Sequence, residues 1–272
     1  MAGKSEVLLI LDDWNTDAFK LGGGDWTYSA EPGWYGGTSP YPAFAMGANG
    51  DTGNYGTLSI SFTGTAIAFW GNTPPAANSQ SVSVKIDNGG SSDSSFNDPS
   101  PQSYRQWYKT PTLSEGSHTV SLSRIAGASM DFAIITAGRN TPLNGMKIIV
   151  DDTDSSISYD SKWSQNNDQF QPGRIPHGTP FGGSTHLTKS SGASATFKFT
   201  GTSVAVYGIF SWANLGTMAA SFSIDGSSSS QTYAVNSDSP EHVKEPGQQQ
   251  NFQLFSADSL SSEDHTLVIT VT

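Results

Sequence analysis

The sequence contains no cysteine and few charged residues, and these scarcities exclude several classes of protein. Without cysteine there is no disulfide framework, no thiolate metal site and no cysteine nucleophile. Charged residues make up 14% of the 272, against roughly 25% in an average soluble protein, and the net charge is −11. Nucleic acids and anionic membranes require a basic surface, so neither is an expected partner. No apolar run approaches the roughly 18 residues of a membrane-spanning helix, so no membrane insertion is expected.

Signals of secretion are also missing from the sequence. Its start lacks the long apolar segment of a signal peptide, because the short run from Val7 to Leu11 leads directly into Asp12. None of the asparagines begins an Asn-x-Ser/Thr glycosylation site. We therefore expect a cytosolic protein or one released without a signal peptide, with an extracellular ectodomain as the alternative.

What the sequence does contain is a long internal repeat. Phe62-Thr63-Gly64-Thr65 recurs unchanged as Phe199-Thr200-Gly201-Thr202, an offset of 137 residues (199 − 62 = 137). Further matches follow in the same order: Asp12-Asp13 with Asp151-Asp152, Trp26 with Trp163, Ile86-Asp87 with Ile224-Asp225, and His118-Thr119 with His265-Thr266. A period of this length indicates a copied domain rather than a solenoid unit. Two copies predict two related binding sites, and engaging both would raise avidity.

The pattern of apolar residues predicts β-strands throughout. Apolar and polar residues alternate in segments such as 58–62, 82–86 and 195–199, whereas helical periodicity is nearly absent. Glycine- and serine-rich turns separate these segments. We therefore predict an all-β protein with two tandem antiparallel β-sandwich domains of the jelly-roll type. The first domain is placed at 1–139 and the second at 146–272, with a short proline-containing linker at 140–145. The apolar runs 7–11 and 148–150 are predicted as inner strands.

The two copies differ after their His-Thr strands. The first copy continues through Met130 to Ile135, which is predicted to form a further strand, whereas the second copy reaches Thr272 without a matching segment. The second sandwich is therefore predicted to lack its last strand. Either the natural chain is longer, or a strand edge is open for pairing with another chain. In the second case we expect a homo-oligomer formed through that edge.

The motifs of the second copy occur in a recognisable order. An apolar strand ending in Asp-Asp is followed by Trp, Phe-Thr-Gly-Thr-x-Val-x-Val-Tyr-Gly, Ile-Asp-Gly and His-Thr-Leu. This order resembles the galactose-binding-like β-sandwich modules that are frequent in mushroom-forming fungi, and the first copy keeps it more loosely. The resemblance implies the fold of many carbohydrate-binding modules and lectins, with galactose-type glycans as partners. Such modules often carry an apolar-Asp-aromatic-apolar last strand, which Met130 to Ile134 matches.

Sites for neutral sugars combine an aromatic face with hydrogen-bonding side chains. Trp34, Tyr35 and Trp212 lie beside glycine or in loop-like sequence without a counterpart in the other copy, and we predict that they are exposed. Polar candidates lie near Trp212 and in the segment Arg-Ile-Pro-His-Gly of the second copy. The predicted binding residues are Trp34, Tyr35, Arg174, His177, Trp212 and Asn214.

Aspartates end the first strand of both copies. The candidates for metal ligation are Asp12, Asp13, Asp151, Asp152 and Asp154. Hard oxygen ligands suit Ca²⁺, and related sandwiches often carry a structural calcium, so calcium is one interpretation. The other is that these residues cap turns, because adjacent residues on a strand point to opposite faces and cannot both face one ion.

The sequence offers little support for catalysis. His118 and His265 recur at matched positions and are expected to be structural, with the ring bonding a turn carbonyl. Motifs for metalloproteases, α/β-hydrolases and phosphate loops are missing. The leading interpretation is a lectin-like glycan-binding protein that is not an enzyme. A structural or adhesive module that binds proteins is the alternative, and a carbohydrate-active enzyme is the third.

Overall fold

The computed structural model describes residues 6–42, 55–76, 78, 80–96, 102–173, 177–244 and 246–272. The chain divides into two compact units, which we call unit 1 (Met1–Val150) and unit 2 (Asp151–Thr272). Both are built almost entirely from antiparallel strands, so the predicted all-β sandwich class is confirmed. In the described part of the chain, no helix has the length and apolar character needed to cross a membrane.

Unit 1 is a sandwich of two five-stranded sheets. Its strands are β1 (Leu8–Asp12), β2 (Phe19–Gly23), β3 (Trp26–Ala30), β4 (Thr38–Pro42), β5 (Gly56–Gly64), β6 (Ala66–Asn72), β7 (Ser81–Ile86), β8 (Ser91–Ser95), β9 (Tyr104–Lys109), β10 (Gly116–Ile125), β11 (Phe132–Thr136) and β12 (Lys147–Ile149). One sheet has the order β12-β1-β11-β6-β9 and the other β2-β5-β10-β7-β8, while β3 and β4 form a separate hairpin.

The core of unit 1 lies between these two sheets. Alternate residues of β5 such as Ile60 and Phe62 are buried, as expected for a strand with one face on the core. The opposite sheet contributes Phe69 from β6 and Ile135 from β11 to the same apolar cluster. Strand β11 is buried along its whole length because it lies between β1 and β6 in the middle of its sheet.

Unit 2 keeps one of these sheets and only part of the other. Its elements are β13 (Ile157–Tyr159), β14 (Ser164–Asn166), β15 (Thr185–Leu187), β16 (Ser194–Thr200), β17 (Val204–Ser211), β18 (Gly216–Ile224), β19 (Ser227–Val235), helix α1 (Pro240–Lys244), β20 (Gln248–Ala257) and β21 (Asp264–Val271). The sheet β13-β16-β21-β18-β19 repeats β2-β5-β10-β7-β8. The second sheet consists of the pair β17–β20, which repeats β6–β9, and β14 pairs with β15.

The prediction that 148–150 forms an inner strand is wrong. Strand β12 is an edge strand of unit 1, where Ile148 pairs with Leu9 of β1 and is 48% exposed. In unit 1, β11 lies between β1 and β6, and no described segment takes that position in unit 2. The repeat of β1 therefore has no neighbour to pair with there, and it extends unit 1 instead. The unit boundary follows Val150, later than the predicted linker. The Thr141 hydroxyl of that linker donates a hydrogen bond to the Thr63 carbonyl at 3.3 Å.

Candidate functional site

The two aromatic residues predicted to bind ligand in the first copy are buried, so the prediction of their exposure is wrong. Trp34 is 4% and Tyr35 9% exposed. The Trp34 indole donates a hydrogen bond to Ser29 Oγ at 3.1 Å and packs against Tyr104. The Tyr35 ring meets Phe132 edge-on. Glycine-rich sequence next to an aromatic residue is also what a tight turn over a core requires, and a 3₁₀ turn spans Tyr35–Gly37.

This turn closes over a buried group of carboxylates. The backbone N–H of Tyr35 donates to Asp131 Oδ1 at 2.8 Å, and the Tyr104 hydroxyl donates to Asp131 Oδ2 at 2.5 Å. Complete burial raises the pKa of Asp131 well above its ordinary value. Burial, followed by the hydrogen bond to Asp12 and the charge of Asp12, raises the pKa of Asp13 to about 8. The two hydrogen bonds to Asp131 tie the turn at 35–37 and strand β9 to the segment that precedes β11.

The candidate aspartates at the starts of the two copies make contacts with one another and with turns. The carboxyl groups of Asp12 and Asp13 contact each other, contrary to the expected opposite faces, because β1 ends at Asp12 and Asp13 enters a turn. Asp151 accepts a hydrogen bond from the Thr153 N–H at 3.0 Å, which caps a turn. No three His, Cys, Asp or Glu residues are placed to hold a metal ion within the described ranges. The calcium interpretation stays a prediction.

Two further candidates, Asp152 and Asp154, have local partners in unit 2. Asp154 Oδ1 accepts hydrogen bonds from the Ser156 N–H at 2.8 Å and the Ser156 hydroxyl at 2.7 Å. Asp152 Oδ2 lies 2.5 Å from His186 Nδ1, and the His186 ring stacks on Tyr159 at 3.8 Å. Asp154 Oδ1 therefore caps a turn, and Asp152 Oδ2 is engaged by the His186 ring.

The duplicated histidines have the structural role expected of them. Both ring nitrogens of His118 are engaged, Nδ1 with Asp87 Oδ2 at 2.8 Å and Nε2 with the Ser114 carbonyl at 2.8 Å. His265 repeats this arrangement with Asp225 at 2.6 Å and the Ser261 carbonyl at 2.9 Å. Each ring therefore ties a turn to the start of a strand, and the predicted bond to a turn carbonyl is confirmed.

The predicted binding residues of the second copy are not all accessible. Trp212 is half-buried against Phe210 and Phe252, and its indole donates to Gln249 Oε1 at 2.8 Å. Asn214 is exposed on the turn that follows Trp212, and His177 is exposed as well. Arg174 lies outside the described residues.

Two other residues form an exposed aromatic surface in the described part of unit 1. Trp14 is 58% exposed and Tyr28 is 44% exposed. Their rings lie 5.8 Å apart between centroids with only 19° between their planes. Sequence reasoning missed Trp14, although a signal was present: a tryptophan directly before the polar run Asn-Thr-Asp is more likely to lie on the surface than in a core. We call these two residues the Trp14–Tyr28 pair.

The turn that carries Trp14 is held in one conformation by several hydrogen bonds. The Asn15 side chain accepts a bond from the Ala18 N–H at 3.1 Å, and the Asn15 carbonyl accepts one from the Phe19 N–H at 2.9 Å. The Lys20 ammonium donates to the Thr16 carbonyl at 2.7 Å. Strand β3 supplies Tyr28 from the neighbouring hairpin. The pair is therefore preorganised, and a ligand would not have to order it.

Unit 2 does not repeat the Trp14–Tyr28 pair. The matches Asp12-Asp13 with Asp151-Asp152 and Trp26 with Trp163 place Thr153 and Gln165 at its two positions. The two units therefore share a fold and differ in this surface feature.

Unit 1 also has an open groove of about 450 Å³. It lies beside β8 and β9 and is lined by Gln106, Tyr108 and Lys109, among other residues. The Phe96 and Trp107 rings of its lining are buried. The groove offers mainly polar groups, whereas the Trp14–Tyr28 pair offers exposed aromatic area.

No protein-family model and no curated protein matches the chain. Solved structures with some likeness include an exo-β-1,3-galactanase from Phanerochaete chrysosporium with galactose. It is 16% identical, with 48% of this chain and 29% of that chain covered and a TM-score of 0.33. A Paenibacillus xanthan lyase is 12% identical, with coverage of 93% and 24% and a TM-score of 0.25. A Bacillus subtilis oxalate decarboxylase mutant is 10% identical, with coverage of 96% and 76% and a TM-score of 0.19.

The galactanase and the lyase are carbohydrate-active proteins. This chain spans less than a third of the length of either one. Because every one of these TM-scores lies below 0.5, no inference passes from these proteins to this chain.

Proposed function

We propose that the protein binds glycans through unit 1, with a pyranose ring stacking on the Trp14–Tyr28 pair. The observation that supports this most directly is the combination of exposure and order: two nearly parallel rings, each more than two-fifths exposed, on a turn fixed by hydrogen bonds. The C–H face of a sugar packs on such rings, and the polar groups of the same turn are suited to hydroxyls.

The proposed ligand is an uncharged or weakly charged glycan, and galactose-type sugars are the first to test. The net charge of −11 disfavours polyanionic glycans. A single aromatic platform gives weak affinity, with Kd of about 1 μM to 1 mM. Dense arrays of sugars would strengthen the attachment if several molecules bind together.

The experiment is a glycan array with the intact chain, followed by titration of any hit with Trp14→Ala and Tyr28→Ala variants. We expect each variant to lose at least about tenfold in affinity, which corresponds to 1.4 kcal/mol. Leu143→Ala is the matched control, because Leu143 is another exposed apolar residue of unit 1. A blank array, or a hit that Gln106→Ala abolishes and Trp14→Ala leaves intact, would overturn the proposal.

The intact chain can also be used to test the two alternative functions, a protein-binding module and a carbohydrate-active enzyme. A protein-binding module predicts a partner that survives excess monosaccharide. A carbohydrate-active enzyme predicts product released from a labelled oligosaccharide, and the proposed function includes no such step.

A further inference from the structure

A strand edge is open in unit 2 at the place where unit 1 is closed. In unit 1, β6 pairs with β9 on one side and with β11 on the other. In unit 2, the equivalent strand β17 pairs with β20 alone in the described part of the chain. The repeat offset continues through these strands, so that Ile67-Ala68-Phe69 corresponds to Val204-Ala205-Val206.

The apolar side chains beside this edge are incompletely covered. Five core positions of unit 1 are buried, namely Ile60, Phe62, Ile67, Phe69 and Leu122. Their counterparts are only partly buried, namely Phe197, Phe199, Val204, Val206 and Ile269. In unit 1, Ala133 and Ile135 of β11 complete the cluster. Unit 2 therefore has a strip of partly exposed apolar side chains where unit 1 has side chains covered by β11.

Gly201 of unit 2 leaves room for a neighbouring strand that the described chain does not supply. At Gly64 of unit 1, an added Cβ would lie 2.6 Å from the Thr136 carbonyl oxygen and 2.7 Å from Ile135 Cγ2. Strand β11 therefore excludes a side chain at that position. At the equivalent Gly201, the nearest heavy atom to an added Cβ is 3.8 Å away, and the backbone φ is not positive. Nothing within unit 2 requires glycine here, but a strand placed like β11 would.

A buried polar side chain without a partner lies at the end of the same strip. Gln250 is 4% exposed, and neither its amide nitrogen nor its amide oxygen has a hydrogen-bond partner. Buried polar groups are almost always hydrogen-bonded, so this amide indicates that a partner is missing.

Comparing the β17–β20 register with the β6–β9 register shows which residue of unit 1 corresponds to Gln250 and what that residue bonds to. Tyr104 lies opposite Asn72 of β6, whose counterpart by the repeat offset is Ile209 of β17. Ile209 falls between the pairs Gly208–Phe252 and Phe210–Gln249, so Gln250 and Asn251 both lie across from it, and Gln250 is the buried one. Gln250 thus takes the position of Tyr104, which donates its hydroxyl hydrogen to Asp131, the residue preceding β11.

We propose that unit 2 binds an extended strand that residues 151–272 do not contain, in the position that β11 occupies in unit 1. The donor has the pattern of residues 131–135, with an aspartate, an aromatic residue, a small residue and two branched apolar residues. Its backbone pairs antiparallel with β17, as β11 pairs with β6. Its third and fifth residues fill the apolar strip, and its aspartate accepts a hydrogen bond from the Gln250 amide. Backbone pairing supplies affinity and the alternate side chains supply specificity.

The test uses the full chain and a labelled peptide of residues 127–138. We expect saturable one-to-one binding in a fluorescence titration. Hydrogen exchange should show new protection at 204–207, and no comparable change in unit 1. A peptide with Ile135→Asp should bind at least about tenfold more weakly, because that side chain points into the core.

A matched pair of glycine variants locates the peptide. Gly201→Ala leaves the folded chain intact but places a methyl group where the donated strand must pass, so peptide affinity should fall at least about tenfold. Gly90→Ala adds a methyl group with no heavy atom within 4 Å, and it should bind the peptide like the unaltered chain. Three results would each overturn the proposal: a titration that does not saturate, new protection that lies outside β17, or equal peptide affinity for Gly201→Ala and the unaltered chain. So would a dimer that pairs its β17 edges and excludes the peptide, since the occupant would then be a second copy.

Discussion

The imidazole Nδ1 of His265 lies 2.6 Å from Asp225 Oδ2, and the other oxygen of that carboxylate accepts the Thr266 N–H at 2.8 Å. His265 Nε2 faces the Ser261 carbonyl, which can only accept, so both ring nitrogens are best satisfied as donors. The hydrogen bond to Asp225 is the main reason that the pKa of His265 is raised above 6.5. The same bond lowers the pKa of Asp225 below 3.8.

These shifts predict the direction of the pH dependence of unit 2. The stabilisation from His265 is complete below pH 6.5 and is lost as pH rises through its raised pKa. The stabilisation from Asp225 is present above pH 3.8 and is lost as pH falls through its lowered pKa. We expect an NMR titration of the His265 ring to show a midpoint above 6.5, and Asp225→Asn to bring that midpoint back towards 6.5. A midpoint at or below 6.5 in the unaltered protein would contradict the arrangement.

Alanine substitutions at Gly64 and Gly201 test the missing strand by comparing free energies of unfolding, with no ligand needed. Gly64→Ala forces a methyl group against β11, so we expect a loss of about 1–3 kcal/mol in the free energy of unfolding of unit 1. Gly201→Ala meets no such contact and should stay within about 0.5 kcal/mol. Urea unfolding of both variants measures the difference. Equal losses would mean that Gly201 is confined by unit 2 itself.

Gln250→Met should stabilise the protein in the absence of any partner. It replaces a buried amide with no hydrogen-bond partner by an apolar side chain of similar length, which removes a penalty of about 1–3 kcal/mol. The thermal midpoint of unit 2 should therefore rise. A lower midpoint would show that the amide is satisfied in solution, and Gln249→Met serves as the control because the Gln249 amide oxygen accepts the Trp212 indole bond.

Trp14→Ala and Trp34→Ala should separate a surface role from a core role. Trp14 is mostly exposed, so its removal should change the free energy of unfolding by less than about 0.5 kcal/mol. Trp34 is buried against Tyr104, and its removal should cost about 3–5 kcal/mol. Denaturant unfolding of the two variants side by side gives both values. A large loss for Trp14→Ala would weaken its use as a binding-site probe.

Chelation tests the calcium interpretation. Since Asp12 contacts Asp13, and Asp151 and Asp154 each cap a turn, we expect excess EDTA to leave the thermal midpoint unchanged at pH 7. A fall in the midpoint that calcium restores and magnesium does not would return Asp12, Asp13, Asp151, Asp152 and Asp154 to consideration as ligands.

Much of the fold could be predicted from local pattern because strand alternation and turn residues act within a few positions of the chain. The segments 58–62 and 195–199 form β5 and β16 for this reason. The site was harder to predict. The sequence around Trp34 has the glycine-rich character of an exposed loop, but a turn over a core has the same composition.

The sequence by itself determined the duplicated β-architecture and the absence of a second β11-like segment before Thr272, because repeats and period-two alternation are properties of neighbouring residues. Only the tertiary structure decided which aromatic residues face solvent, since that depends on contacts between distant segments: the N–H of Tyr35 reaches Asp131, which buries one turn and leaves Trp14 on another. Tertiary pairing also placed β12 on unit 1 and left β17 with one neighbour. The residues of a segment predict that it forms a strand. Which strand it pairs with depends on the other segments that can pair with the same edge.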